Sequence, residues 1–102
     1  MIYQLTVPEG IEDVDEIRVL AWSKAEQERV AKGDLLVELE THKALVAVRA
    51  EKDAFLRSIM TKAGEWRAPG QPLAALSDAA EEPMPDSVAA CTMFPTDVEI
   101  DR

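Results

Sequence analysis

Apolar residues in this chain gather in short runs, too brief for amphipathic helices and bounded by Gly, Pro or clusters of charge. Ile2 to Val7, Ile17 to Trp22, Leu35 to Glu40, Leu45 to Ala50, Phe55 to Met60 and Leu73 to Leu76 are such runs, and each is expected to be a strand. Only Ser23 to Val30, SKAEQERV, has a helical composition. It is too short and polar to hold a helix without packing, so a surface loop with at most one helical turn is expected.

The stretch from Leu35 to Ala50 carries the sharpest pattern. A reversal at His42 and Lys43 sets Leu39 opposite Val46, Val37 opposite Val48 and Leu35 opposite Ala50 on a wholly apolar face, with Thr41 meeting Ala44 at the tip. Glu40 then meets Leu45, Glu38 meets Ala47 and Leu36 meets Arg49 on the other face. Slipping the register by one residue brings Arg49 among the inward residues, so the pattern selects this pairing and leaves Lys43 at the apex. Two-residue hairpin loops favour Gly and Asn in primed turns, and His-Lys supplies neither. A type I turn accepts these residues, and a departure from local preference often marks a functional position.

Laid over itself at an offset of 37, the chain matches again. Ala31 falls on Ala68, Gly33 on Gly70, Leu36 on Leu73, Leu39 on Leu76 and Val19 on Leu56. Each half reads as strand, loop, turn, strand. Neither half is large enough to bury its own apolar face, so two halves related by a pseudo-dyad around one core are expected. In that overlay Lys43 falls on Ala80.

At 102 residues the chain holds one compact domain, placed here at residues 1–78. Residues 79–102, acidic and with three prolines, read as a linker or tail. The end of that segment, from Cys91 to Ile100, is less disordered in character and is a candidate for docking back on the domain or on a partner. The net charge of −9 leaves no basic stripe for nucleic acid and disfavours an anionic membrane surface. A lone Cys91 gives no disulfide framework and no cysteine zinc cluster, and the opening residues carry no export signal, so a cytoplasmic location is expected.

Around Lys43 the chain resembles the lipoyl domains of 2-oxo acid dehydrogenase acyltransferase components, together with the related biotinyl domains and glycine-cleavage H protein. The resemblance runs from Ile2 to Ser77. It rests on Val7-Pro8, VAKGD at 30–34, LVELET at 36–41, Lys43-Ala44, the strand from Leu56 to Ile59, Gly64-Glu65 and GQPLA at 70–74. It implies an all-β, flattened barrel-sandwich hybrid of two four-stranded sheets with internal two-fold symmetry, the modified lysine at one end and both termini at the other. It also implies covalent lipoic acid on Lys43, with Glu40, Thr41, His42 and Ala44 as flanking recognition residues. Biotinyl domains typically place methionine on both sides of their lysine, so His42 and Ala44 favour lipoate over biotin as the alternative. Two positions depart from the family: His42 stands where an acid is usual, and Ala54 where a glycine near the modified turn is common.

The function this implies is a carrier without a catalytic site of its own. Its partners would be a lipoate-protein ligase or lipoyl transferase and the dehydrogenase, acyltransferase and dihydrolipoyl dehydrogenase components of a 2-oxo acid or acetoin dehydrogenase-type complex. An unmodified adaptor that docks through its acidic hairpin is the reading from another class. A stand-alone enzyme is disfavoured because no nucleophile, base and orienting group converge. A single histidine offers no companion metal ligands, Glu38 and Glu40 read as an acidic surface rather than an acid-base pair, and Trp22 and Trp66 read as packing residues.

Overall fold

The computed structural model describes residues 1–11 and 14–101, and ten strands account for its regular structure. They are β1 (Ile2–Thr6), β2 (Ile17–Trp22), β3 (Arg29–Val30), β4 (Leu35–Glu40), β5 (Leu45–Ala50), β6 (Ala54–Ile59), β7 (Trp66–Arg67), β8 (Pro72–Ser77), β9 (Thr92–Met93) and β10 (Thr96–Asp101). One sheet has the order β3-β6-β8-β1-β9 and the other β10-β5-β4-β2-β7. They pack face to face over an aliphatic core that includes Leu5, Val19, Leu36, Leu39, Val46, Leu56, Leu73 and Leu76. The result is the expected flattened sandwich, 39 × 26 × 21 Å, with five strands in each sheet in place of four and without closure into a barrel. Ser23 to Val30 is a loop of turns ending in β3, with no helix.

The offset of 37 in the sequence becomes a physical pseudo-dyad. β2, β3 and β4 map residue for residue onto β6, β7 and β8, and each half gives its two-residue strand to the opposite sheet. The turns repeat as well. Asp34 accepts from the Ala31 amide as Gln71 accepts from the Ala68 amide, and Gly33 donates to Ala50 as Gly70 donates to Val7. Gly33 and Gly70 sit at φ of 93° and 87°, a left-handed conformation that a side chain resists. Exchange of edge strands explains why neither half reads as an independent unit: its apolar face is completed only by the other.

The pairing of β4 with β5 follows the expected register from Glu40–Leu45 to Val37–Val48. Beyond Val37 it departs, because Leu35 faces Arg49 rather than Ala50. A bulge at this point turns both Leu36 and Val37 inward. Alternation cannot express two consecutive buried residues, and the irregularity lets Arg49 keep to the outer face.

The final strands extend both sheets. β9 lies parallel to β1, and β10 lies antiparallel to β5 along its whole length, from Thr96 opposite Ala50 to Asp101 opposite Leu45. The crossover is pinned by Phe94, buried in the core edge-to-face on Tyr3 with ring centroids 5.5 Å apart. The Phe94 amide donates to the Gln4 carbonyl, and the Gln4 side chain donates to the Cys91 carbonyl at 2.7 Å. Polar composition does not prevent this, since a strand added to an edge is held by its backbone and by a few anchoring side chains.

At the end of the sandwich away from residue 43, Lys52 Nζ donates to Tyr3 Oη at 2.6 Å and to Asp78 Oδ1 at 2.7 Å, and Tyr3 donates to the same carboxylate at 2.9 Å. Hydrogen bonding by Lys52, and next by Tyr3, holds the Asp78 carboxyl below its usual range. A carboxylate whose folded pKa is depressed stabilises fully above its unfolded value, near pH 3.9, and the stabilisation is lost as pH falls through the folded value. Asp78→Asn is therefore expected to flatten the acid limb of stability below about pH 4, measured by urea unfolding across pH. Asp78 is half-exposed, so water screens the effect and it is modest. An unchanged acid limb would show that the network contributes nothing.

Candidate functional site

β4 and β5 converge on a turn formed by Thr41, His42, Lys43 and Ala44. Neither His42 nor Lys43 has a positive φ, so the loop is not a primed turn. Thr41 compensates. Its Oγ1 accepts from the Lys43 amide at 3.2 Å and the Ala44 amide at 3.0 Å, while the Thr41 amide donates to the Ala44 carbonyl at 2.9 Å. A buried hydroxyl thus replaces the glycine that a tight hairpin would otherwise want. Sequence reasoning placed Thr41 beside the site without this role; a Thr directly before the reversal is the signal. Thr41→Val keeps the shape and removes the acceptor, and is expected to cost about 1 kcal/mol. Faster hydrogen exchange at the Ala44 amide would accompany the loss; unchanged exchange there would contradict the capping role.

Lys43 is exposed at the apex, and among the described residues its amine takes part in no ion pair or hydrogen bond. The other four lysines lie elsewhere on the domain. Lys24 is paired to Asp34 at 3.0 Å, Lys52 is held in the network at the far end, and Lys32 and Lys62 lie in loops. The freedom of Lys43 comes from the fold: the inward residues of β4 and β5 are spent in the core, so the chain must reverse where nothing covers it. An open groove runs beside the turn, bordered by Leu45 and by Asp101 of β10.

The outer face of the sheet below the turn carries one residue from each strand in a single row. Asp101 is opposite Leu45, Leu45 opposite Glu40, Glu40 opposite Arg18, and Arg18 opposite Trp66. Arg18 and Glu40 form an ion pair at 3.3 Å, so Glu40 is held by its neighbour across the strands rather than standing free. His42 leans toward Trp66, with ring centroids 6.3 Å apart and an interplanar angle of 33°. The structure therefore brings Glu40, Thr41, His42 and Ala44 together around Lys43.

Three expectations are corrected or refined, the first being that both termini lie away from the lysine: Asp101, at the end of β10, stands opposite Leu45 beside the turn. Ala54 is not near the turn: it opens β6 opposite Val30, and its neighbour Phe55 faces Ser77 at the far end. β5 carries the chain the length of the sheet away from Lys43 before β6 begins. Trp66 is not a packing residue, being 42% exposed on edge strand β7, whereas Trp22 packs against the core and donates its indole N–H to the Thr61 carbonyl. No group of three or more His, Cys, Asp or Glu among the described residues has a metal-binding arrangement.

Comparison with known proteins identifies the family. The biotin/lipoyl family model, described as biotin-requiring enzyme, matches residues 3–76. The dihydrolipoyllysine-residue succinyltransferase component of the 2-oxoglutarate dehydrogenase complex from Bacillus subtilis (strain 168) is 30% identical over 79 residues, covering 78% of this chain and 19% of the relative. The component of the same name from Staphylococcus saprophyticus is 32% identical over 75 residues, covering 74% of this chain and 18% of the relative. That from Haemophilus influenzae is 29% identical over 96 residues, covering 94% and 24%. The chain thus spans about a fifth of the length of the curated relatives it matches. A hairpin-tip lysine on a two-fold sandwich, matched over nearly three quarters of the chain, makes this protein a member of the biotin/lipoyl attachment family.

Proposed function

We propose that the domain is a lipoyl carrier, with Lys43 as the point of attachment, working in a multi-enzyme system of the 2-oxo acid dehydrogenase type. The observation that carries this reading is the exposed, unpaired amine at the tip of the β4–β5 hairpin. Attachment needs an amine that an enzyme can reach. Lys43 must lose a proton and then attack the carbonyl of an activated acyl-adenylate, forming an amide as AMP departs. The hairpin holds that amine clear of the sheet, and Thr41 fixes the backbone on either side of it.

When bound, a lipoyl group supplies a disulfide that accepts an acyl group or an electron pair. The chain supplies position. A tethered arm raises effective concentration at successive active sites, and the rigid hairpin defines the centre of its sweep. The kinship with succinyltransferase components of 2-oxoglutarate dehydrogenase complexes favours a complex of that type, whose dehydrogenase, acyltransferase and dihydrolipoyl dehydrogenase components would be the partners. Lys43 would be loaded by a lipoate-protein ligase or lipoyl transferase in a cytoplasmic, reducing setting. Catalysis would lie in those partners, and the domain would bring no active site of its own.

Biotin is the second cofactor to consider, since the matching family accepts both. Intact mass spectrometry of the protein from cells supplied with lipoate and biotin separates them. A single lipoyl increment is expected. A biotinyl increment, or no increment with both cofactors present, would overturn the reading.

A further inference from the structure

Trp66 is unexplained by the fold. It is 42% exposed, and its indole N–H has no hydrogen-bond partner among the described residues. The pseudo-dyad supplies an internal control for what the architecture needs at this position. Trp66 maps onto Arg29, a solvated side chain paired at 3.5 Å with exposed Asp53. A two-residue edge strand in this fold therefore works with a hydrophilic residue at the equivalent place. The same operation maps His42 onto Ala79 and Lys43 onto Ala80, so the His42–Trp66 pair has no pseudo-symmetric counterpart.

The position of that pair is informative. His42 adjoins Lys43 in sequence, and its ring lies 6.3 Å from the indole. The row Leu45, Glu40, Arg18 and Trp66 crosses the sheet directly beneath the turn, with its two charged members joined to each other. Exposed Leu45 and exposed Trp66 thus flank an internally neutralised ion pair. A lysine stem lengthened by the chain of lipoic acid is longer than the gap between the two rings. Its aliphatic carbons and polarisable sulfurs gain from aromatic contact and lose little by leaving water.

Resting on the lipoyl reading of Lys43, we infer that Trp66, oriented by His42, is the platform on which the arm lies when it is not engaged by a partner. Trp66 is a positioning residue in this assignment. It holds the arm against one face of the domain, away from the β10 side of the hairpin, and so biases the direction from which partners meet it.

The test uses the full chain, lipoylated and verified by intact mass, with the Trp22 and Trp66 indole resonances assigned through Trp66→Phe. Lipoylation is expected to shift the Trp66 indole resonance and leave that of Trp22 in place. Nuclear Overhauser contacts are expected between the dithiolane methylene protons and the Trp66 ring, with upfield displacement of those methylene signals. In lipoylated Trp66→Ala the displacement should vanish, and in His42→Ala it should shrink. A lipoylated protein with neither indole shift nor ring contacts would overturn the platform while leaving the carrier reading intact. Failure to gain any lipoyl increment would overturn both.

Discussion

Lys43→Arg is expected to abolish cofactor loading completely while leaving the fold and its stability unchanged. Arginine keeps the positive charge and the length of the side chain, but its guanidinium does not lose a proton under biological conditions and offers no amine for amide formation. The substitution is otherwise inert because Lys43 is exposed and its amine takes part in no ion pair or hydrogen bond among the described residues. A surface change of this kind stays within about 0.5 kcal/mol. Intact mass of the variant from lipoate-supplied cells, with a thermal unfolding curve beside it, reads both halves of the expectation. Persistence of the adduct would move the attachment site elsewhere.

The second large effect concerns the final strands. Phe94 is 3% exposed, packs edge-to-face on Tyr3 and donates its amide to Gln4. Phe94→Ala removes a buried ring and is expected to cost about 3–5 kcal/mol. Small domains are stable by about 5–15 kcal/mol, so this is a large share of the total. Denaturant unfolding measures the loss. Hydrogen exchange should quicken first along residues 96–101, because β10 pairs on one side only and keeps little else inside besides part of Val98. A loss below about 1 kcal/mol, the size of an ordinary surface-to-intermediate change, would show that β9 and β10 do not share the core.

Strands with enough residues to bury a face were legible in the sequence. β2, β4 and β5 fall where the aliphatic runs place them, and the offset of 37 matches three pairs of strands residue for residue. β3 and β7 were not legible, because two residues cannot display a period. β10 was legible only as part of a stretch, Cys91 to Ile100, able to dock back on the domain or on a partner, and not as a strand, because TDVEID is mostly exposed and its order comes from backbone pairing with β5 and from the Phe94 anchor. The bulge at Leu36 was hidden because a two-residue period has no room for consecutive inward side chains.

The same distinction applies at the site. The apex position of Lys43 followed from local alternation alone. Thr41 as a cap was within reach of local reasoning, since a hydroxyl before a turn that lacks glycine is a recognisable remedy. The approach of Trp66 to His42 was not. It depends on a short strand crossing from the second half of the chain into the sheet of the first, so its pairing with Arg18 has no counterpart in the sequence. Ala54 was misplaced near the turn for a related reason, as its distance from Lys43 is set by the full length of β5.

Peptide mapping of the loaded protein by tandem mass spectrometry is the most direct trial of the account. Five lysines compete for the label, at positions 24, 32, 43, 52 and 62. The lipoyl increment is expected on Lys43 and on no other. An increment carried by any of the remaining four, with Lys43 unmodified, would contradict it.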